Sequence, residues 1–166
     1  MIDRVRDLCR SAEETLARAM ATGESSKDEG QLRARAIELA REAVHLAAKC
    51  QGPATYPHLQ AQVVLGWILS ATGSQAEAKD LFVRVETGLE KLAHPDPEGA
   101  IHILGRLVIW YHEVGEPSQV QRLFAQLKSV TKSAYGPDHP RYLMLEAQGE
   151  RWLTEGYPRP FGLWHF

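Results

Sequence analysis

The sequence predicts an all-α chain of about seven helices, arranged as α-α hairpin repeats that stack into a superhelix. Three observations carry this. Residue types recur at a fixed spacing of 42: Gly73 with Gly115, Phe82 with Phe124, Leu69 with Tyr111, and Leu65 with Leu107. Between the glycines, apolar residues return every three or four positions, which is the helical period. Strand-like patterning is lacking, with the end of the sequence as the one place left open. At 166 residues, 44% hydrophobic and 24% charged, the chain is long enough to bury a core without disulfides or metals.

Taken in order, residues 2–21 read as one helix, with Val5, Leu8, Cys9, Leu16 and Met20 on its apolar side. Residues 21–27 form a polar linker, and Ser26 with Glu29 is a capping-box candidate for the second helix. That helix carries Leu32, Ala36, Ala40, Val44 and Ala47. The third helix holds Leu65 and Leu69 and stops before Gly73, a suitable residue just past a helix end. Ser74-Gln75-Ala76-Glu77 has the capping-box spacing and opens the fourth, whose inner stripe is Ala78, Phe82 and Val85. Asp96-Pro97-Glu98 opens the fifth: Asp is a good N-cap, Pro is tolerated at the first helical position, and acids suit the positive end of the dipole. The sixth follows Gly115-Glu116-Pro117 with Val120, Phe124 and Leu127. The seventh runs from Gly136-Pro137-Asp138-His139-Pro140 to Gly156. The expected organisation is a repeat domain over 1–156, made of an irregular hairpin at 1–51, repeats at about 55–93 and 96–135, and a half repeat at 138–156. An aromatic tail follows at 157–166.

These offsets resemble the tetratricopeptide repeat (TPR). From residue 59, Leu65-Gly66, Leu69, Gly73, Ala78 and Phe82 match its pattern. From residue 101, Leu104, Leu107, Tyr111, Gly115 and Phe124 match, with Val120 in place of Ala. Leu145, Gly149, Trp152 and Gly156 begin a third copy. The usual repeat is about 34 residues; a 42-residue unit looks like the kinesin-light-chain type, as does Gly136-Pro137-x-His139-Pro140, with His94-Pro95 as an echo. The resemblance spans roughly residues 30–156. The chain departs from it at Glu90 and Lys132, where the family has Pro late in the second helix. One hairpin cannot bury its apolar face alone, so stacked copies share a core. Gly66 and Ala78 let helices approach, and Phe82 and Phe124 fill the space between hairpins.

Composition excludes several functions. Net charge is −2, and acids and bases are mixed along the chain, so neither a nucleic-acid nor a membrane partner is expected. Seven histidines invite a metal or acid–base role, but no HxxxH or HExxH occurs, and His58, His94 and His139 sit beside helix starts next to Pro. Nucleophile elbows, Walker loops and GxGxxG are absent. The expectation is a non-enzyme with no cofactor and no metal. Cys9 and Cys50 lack framework spacing and read as free thiols in a reducing compartment over a disulfide. The charged N-terminus and the short apolar runs predict a soluble, cytoplasmic protein. Glu146 and Glu150 set like charges at i, i+4, which is mildly unfavourable and hints at a role.

The resemblance implies where a partner would lie: a concave groove lined by the first helix of each repeat. Carried over position by position, its lining is Gln60, Val63, Trp67 and Ser70; then His102, Arg106, Ile109, His112 and Glu113; then Leu143, Glu146 and Glu150. Trp67 and Arg106 belong to types enriched at binding hot spots, and each has a plain alternative as core or paired surface residue. Trp110 and Tyr111 are assigned to the core, since adjacent helix positions cannot share one face. The tail residues Phe161, Leu163, Trp164 and Phe166 admit three readings. They cap the last helix, dock on a second copy to form a homodimer, or serve as a linear motif for another partner. The expected function is a scaffold, adaptor or chaperone-like module binding a peptide or helix of another protein. The alternative is a regulatory subunit or sensor for a small ligand or signal peptide.

Overall fold

A computed structural model of the chain describes residues 2–22, 27–52, 55–92 and 96–155. Seven helices account for nearly all of them: α1 (Ile2–Ala21), α2 (Lys27–Gln51), α3 (Tyr56–Ala71), α4 (Gln75–Glu90), α5 (Pro97–Glu113), α6 (Pro117–Tyr135) and α7 (Pro140–Glu155). The described residues contain no strand. The chain divides into two compact units, residues 1–94 and 95–166. The division falls between the repeats expected at about 55–93 and 96–135.

In the first unit α1 pairs with α2, α2 with α3, and α3 with α4. The α1–α2 hairpin is built on small side chains. Ala36, Ala40, Ala43 and Ala47 of α2 are all 0% exposed, at spacings of four, three and four, so one face of the helix is an alanine stripe. Val5 of α1 and Ala61 of α3 pack on Ala43 and Ala47, with Leu8, Cys9, Val44 and Leu46 around them. The buried line of α1 is Val5, Ala12, Leu16 and Ala19. Met20, expected on this line, is 59% exposed; it lies one position, or about 100°, past Ala19.

The α3–α4 hairpin is closed by two contacts in antiparallel register. A Cβ on Gly66 would stand 2.8 Å from Phe82 Cζ, and one on Gly88 would stand 2.6 Å from Leu59 Cδ2. The phenyl ring therefore occupies space that any side chain on Gly66 would claim. At the end of α3, Gly73 (φ +92°) turns the chain. The Ser74 N–H donates to Leu69 O at 2.8 Å and the Gly73 N–H to Ser70 O at 3.1 Å, a Schellman pair that satisfies two terminal carbonyls. The capping box expected at Ser74–Glu77 does not form. Ser74 makes no side-chain cap bond, and Glu77 instead pairs with Arg41 of α2 at 3.2 Å. The corner is held by Ser70 and Gln75: the Ser70 hydroxyl donates to Gln75 Oε1 and Gln75 Nε2 donates to Ser70 O, both at 3.1 Å.

In the second unit α5 pairs with α6, and α6 with α7. Asp96 caps α5 as expected, accepting from the Gly99 N–H at 3.1 Å, with Pro97 at the first position. The turn after α5 repeats the one after α3. Gly115 has φ +75°; the Glu116 N–H donates to Tyr111 O at 2.9 Å and the Gly115 N–H to His112 O at 3.2 Å. The 42-residue spacing of the two glycines is thus a spacing of identical hydrogen-bonded caps. Val120, Leu123, Phe124 and Leu127 form the buried side of α6. A Cβ on Gly149 of α7 would stand 2.5 Å from Phe124 Cε1. Phe124 thus seats on the following helix, whereas Phe82 seats on its own hairpin partner.

Two stability predictions follow from these contacts. Phe82→Ala should cost about 3–5 kcal/mol, and Gly66→Ala about 1–3 kcal/mol by overpacking, both read from urea unfolding. Trimming the ring in a Phe82→Leu background should relieve part of the Gly66→Ala cost, a coupling expected only of touching sites. Gly73→Ala and Gly115→Ala should each cost about 1 kcal/mol, because both put an alanine at positive φ in the same turn.

Candidate partner-binding surface

The positions implied by the resemblance divide into those still open to solvent and those the fold uses. On α3, Gln60 and Trp67 are half-buried. Val63 is 0% exposed. It is fully buried, so its place in the groove lining is corrected to a buried position on α3. Ser70 is half-buried and tied to Gln75 at the corner. The Trp67 ring is partly open, but its Nε1 is buried and has no hydrogen-bond partner. A buried, unmatched N–H is costly.

On α5 the division is sharper. Gly99, Ala100, Ile101, Ile103, Leu104, Gly105, Leu107, Val108, Trp110 and Tyr111 are all buried. From Ala100 to Glu113 the residues that reach the surface are His102, Arg106, Ile109, His112 and Glu113. The resemblance gave these five as groove lining; His102, Arg106, Ile109 and His112 are half-buried and Glu113 is exposed. At 100° per residue, His102, Arg106, Ile109 and Glu113 fall within one narrow stripe, and His112 sits about 80° to its side. Trp110 and Tyr111 pack inside, edge to face, with centroids 4.9 Å apart. His112 borders a shallow depression of 140 Å³ at the α5–α6 turn, with Gly115, Glu116, Pro117, Val120 and Gln121. This is below the roughly 300–1,000 Å³ of ordinary small-molecule sites.

On α7, Leu143 is 49% exposed. Glu146 is engaged with α6: it pairs with Lys128 and accepts from the Tyr142 hydroxyl at 3.0 Å. Lys132 lies 5.5 Å above the Tyr142 ring. These hydrogen bonds, first from Lys128 and then from Tyr142, hold the Glu146 carboxyl below its ordinary value. The charge thus joins two helices, and the like-charge spacing with Glu150 has a partner on α6 to offset it. The Glu150 side chain lies outside the described residues, as do Phe161, Leu163, Trp164 and Phe166 of the tail, His94-Pro95, and the Ser26 capping candidate.

Sequence reasoning missed a polar cluster at one end of the second unit. Arg141 of α7 donates to both oxygens of Glu98 on α5, at 2.9 and 3.0 Å, and to the Tyr135 hydroxyl at 2.7 Å. That hydroxyl also donates to Glu98. The His139 ring stacks on Tyr135 at 4.5 Å, and its Nδ1 accepts from the Arg141 N–H at 3.2 Å. His139 therefore caps α7, with Pro140 at the first helical position. The signal was present in the Gly-Pro-Asp-His-Pro junction, but Glu98 is distant in sequence. His58, beside Pro57, is buried. Among the described residues no group of three His, Cys, Asp or Glu is placed to hold a metal ion, and no helix is long and apolar enough to cross a membrane.

The Glu146 arrangement has a pH signature. Its folded-state value is depressed, so its contribution is fully present above the ordinary 4.5 and is lost as pH falls from there through the lowered value. Glu146→Gln, which keeps an acceptor for Tyr142 and removes the charge, should flatten stability against pH over that window. Denaturant midpoints measured from neutral pH downward would check this.

Compared with protein-family models, with curated proteins and with solved structures, the chain has no match in any of the three.

Proposed function

We propose that this chain is a tetratricopeptide-type interaction module, non-catalytic and cytoplasmic, that holds a peptide or helix of a partner protein. The observation that carries the reading is the α5 stripe. A helix with ten buried residues keeps His102, Arg106 and Ile109 half-buried and Glu113 exposed along one line. Those are the positions at which a repeat of this type meets its partner. The recurrence of the same glycine cap 42 residues apart supports the repeat itself. In this reading Ile109 supplies the apolar contact, Arg106 and Glu113 orient the partner through opposite charges, and the histidines add polar contacts at either end. Half-buried Trp67 and Gln60 offer a similar line on α3.

The test is an affinity capture from native extract, followed by titration of the purified partner. The wild type is compared with Arg106→Glu/Ile109→Asp and with an Arg84→Glu control on the exposed side of α4. Loss of at least about 30-fold in affinity for the α5 variant is expected, as for hot-spot residues, with helicity and the control unchanged. Equal binding by all three would reject the assignment to α5. Binding of a small molecule with no protein captured would favour the sensor function.

A further inference from the structure

The two glycine turns share a backbone and differ in how the corner beside each is finished. Ser70, Gly73, Gln75 and Ala78 of the first turn correspond to His112, Gly115, Pro117 and Val120 of the second, each pair 42 residues apart. The first turn is crossed by a side chain of its own. Gln75, the first residue of α4, reaches back over it. The Gln75 carboxamide donates to Ser70 O and accepts from the Ser70 hydroxyl, both at 3.1 Å. Ser70 O therefore receives two donors, since the Gly73 N–H also reaches it at 3.1 Å. In the second turn the Gly115 N–H reaches His112 O at 3.2 Å. The residue that would bring the second donor there is Pro117, whose ring carries no polar group.

At this second corner lies the 140 Å³ depression bordered by His112 and Pro117. Its lining suits the group that crosses the first corner. Val120, 4% exposed, gives an apolar seat for a short stem, together with Pro117 and the bare Gly115. His112 stands where Ser70 stands, and its imidazole carries an N–H in place of the hydroxyl. The exposed Gln121 brings a further amide donor to the rim. His112 O has a second lone pair, the one that Ser70 O gives to Gln75. A carboxamide, which donates and accepts within three atoms, answers all of these. A carboxylate would lack the donor and bring a like charge to Glu116, a lining residue, and an ammonium would lack the acceptor. We propose that the α5–α6 corner is a binding site for a primary carboxamide, the side chain of a glutamine, held as Gln75 is held in the first turn. That a partner peptide supplies this glutamine rests on the interaction-module function proposed for α5, where His112 lies beside the end of the stripe.

Propionamide, the glutamine side chain as a free molecule, tests the site in the full chain without any peptide. The backbone N–H resonances of Gly73 and Gly115 report the two corners. In the wild type, propionamide should shift Gly115 saturably and leave Gly73 in place. 2-Butanone has the same shape and no N–H. It should need about a fivefold higher concentration for half-saturation, the difference one hydrogen bond makes. Gln75→Ala should open the first corner, so that propionamide then shifts Gly73 as well. His112→Ser/Pro117→Gln builds the pair of the first corner into the second and should abolish the Gly115 response. A Gly115 signal that stays in place, or drifts without saturating, would overturn the proposal. So would equal half-saturation by 2-butanone, which would leave only an apolar dent. Should the double variant lose helicity, Gln75→Ala, at an exposed position, still decides: absence of a new Gly73 response would count against the carboxamide assignment. The probe carries no peptide, so its failure leaves the α5 stripe standing, and failure of the capture experiment leaves propionamide binding standing.

Discussion

The fold rests on how closely its helices approach. At Gly66 the ring of Phe82 stands where a side chain would begin, and at Gly149 the ring of Phe124 does the same. A phenyl ring seated on bare backbone buries its full area on both faces and leaves little room for the helices to slide. Each contact joins the second helix of a hairpin to a first helix. Phe82 does so within its hairpin in the first unit, and Phe124 does so onto the following helix in the second. The α1–α2 hairpin reaches the same closeness differently. It has no such ring; the alanine stripe at residues 36, 40, 43 and 47 removes bulk from one side of α2 and lets Val5 and Ala61 settle on it.

Polar groups then fix what packing leaves open. Van der Waals contact sets a distance, but it constrains the ends of helices weakly. Here the ends are tied by specific bonds: Ser70 with Gln75 at the corner of α3 and α4, and Glu98 with Arg141 and Tyr135 where α5, α6 and α7 meet. The second of these draws on all three helices of its unit, so none of them can rotate without breaking it. The joint of Glu146 with Lys128 sits further along the same pair of helices and opposes the same rotation.

How far the sequence could be read depended on the range of the interaction concerned. The seven helices, the Asp96 cap and the Gly73 and Gly115 turns were legible because each is decided within a few residues. Trp110 and Tyr111 were placed inside by an argument from one helix alone. The failures share another cause. Ser74-x-x-Glu77 has the right local spacing for a cap, yet Arg41, distant in sequence, takes Glu77. Val63 carries the right offset for a surface line, yet it is fully buried. Glu146, exposed on α7, also pairs with Lys128 of α6, a partner that its i, i+4 spacing with Glu150 does not reveal. In each case a long-range neighbour, invisible to spacing, outweighs the local signal.

The same distinction explains why α5 is the informative helix. Its sequence is apolar on nearly every side, so burial spends ten of its residues and leaves few choices for the rest. A charged residue in such a helix is tolerated only where water reaches it, because an unpaired charge in the core would cost several kcal/mol. Arg106, half-buried, and Glu113, exposed, both lie on the line that water reaches. Ile109 is different. It is half-buried, so part of its side chain packs against the protein and part reaches solvent between the arginine and the glutamate. The buried part contributes to stability like any apolar surface removed from water; the open part is the apolar share of the stripe, set between two charges.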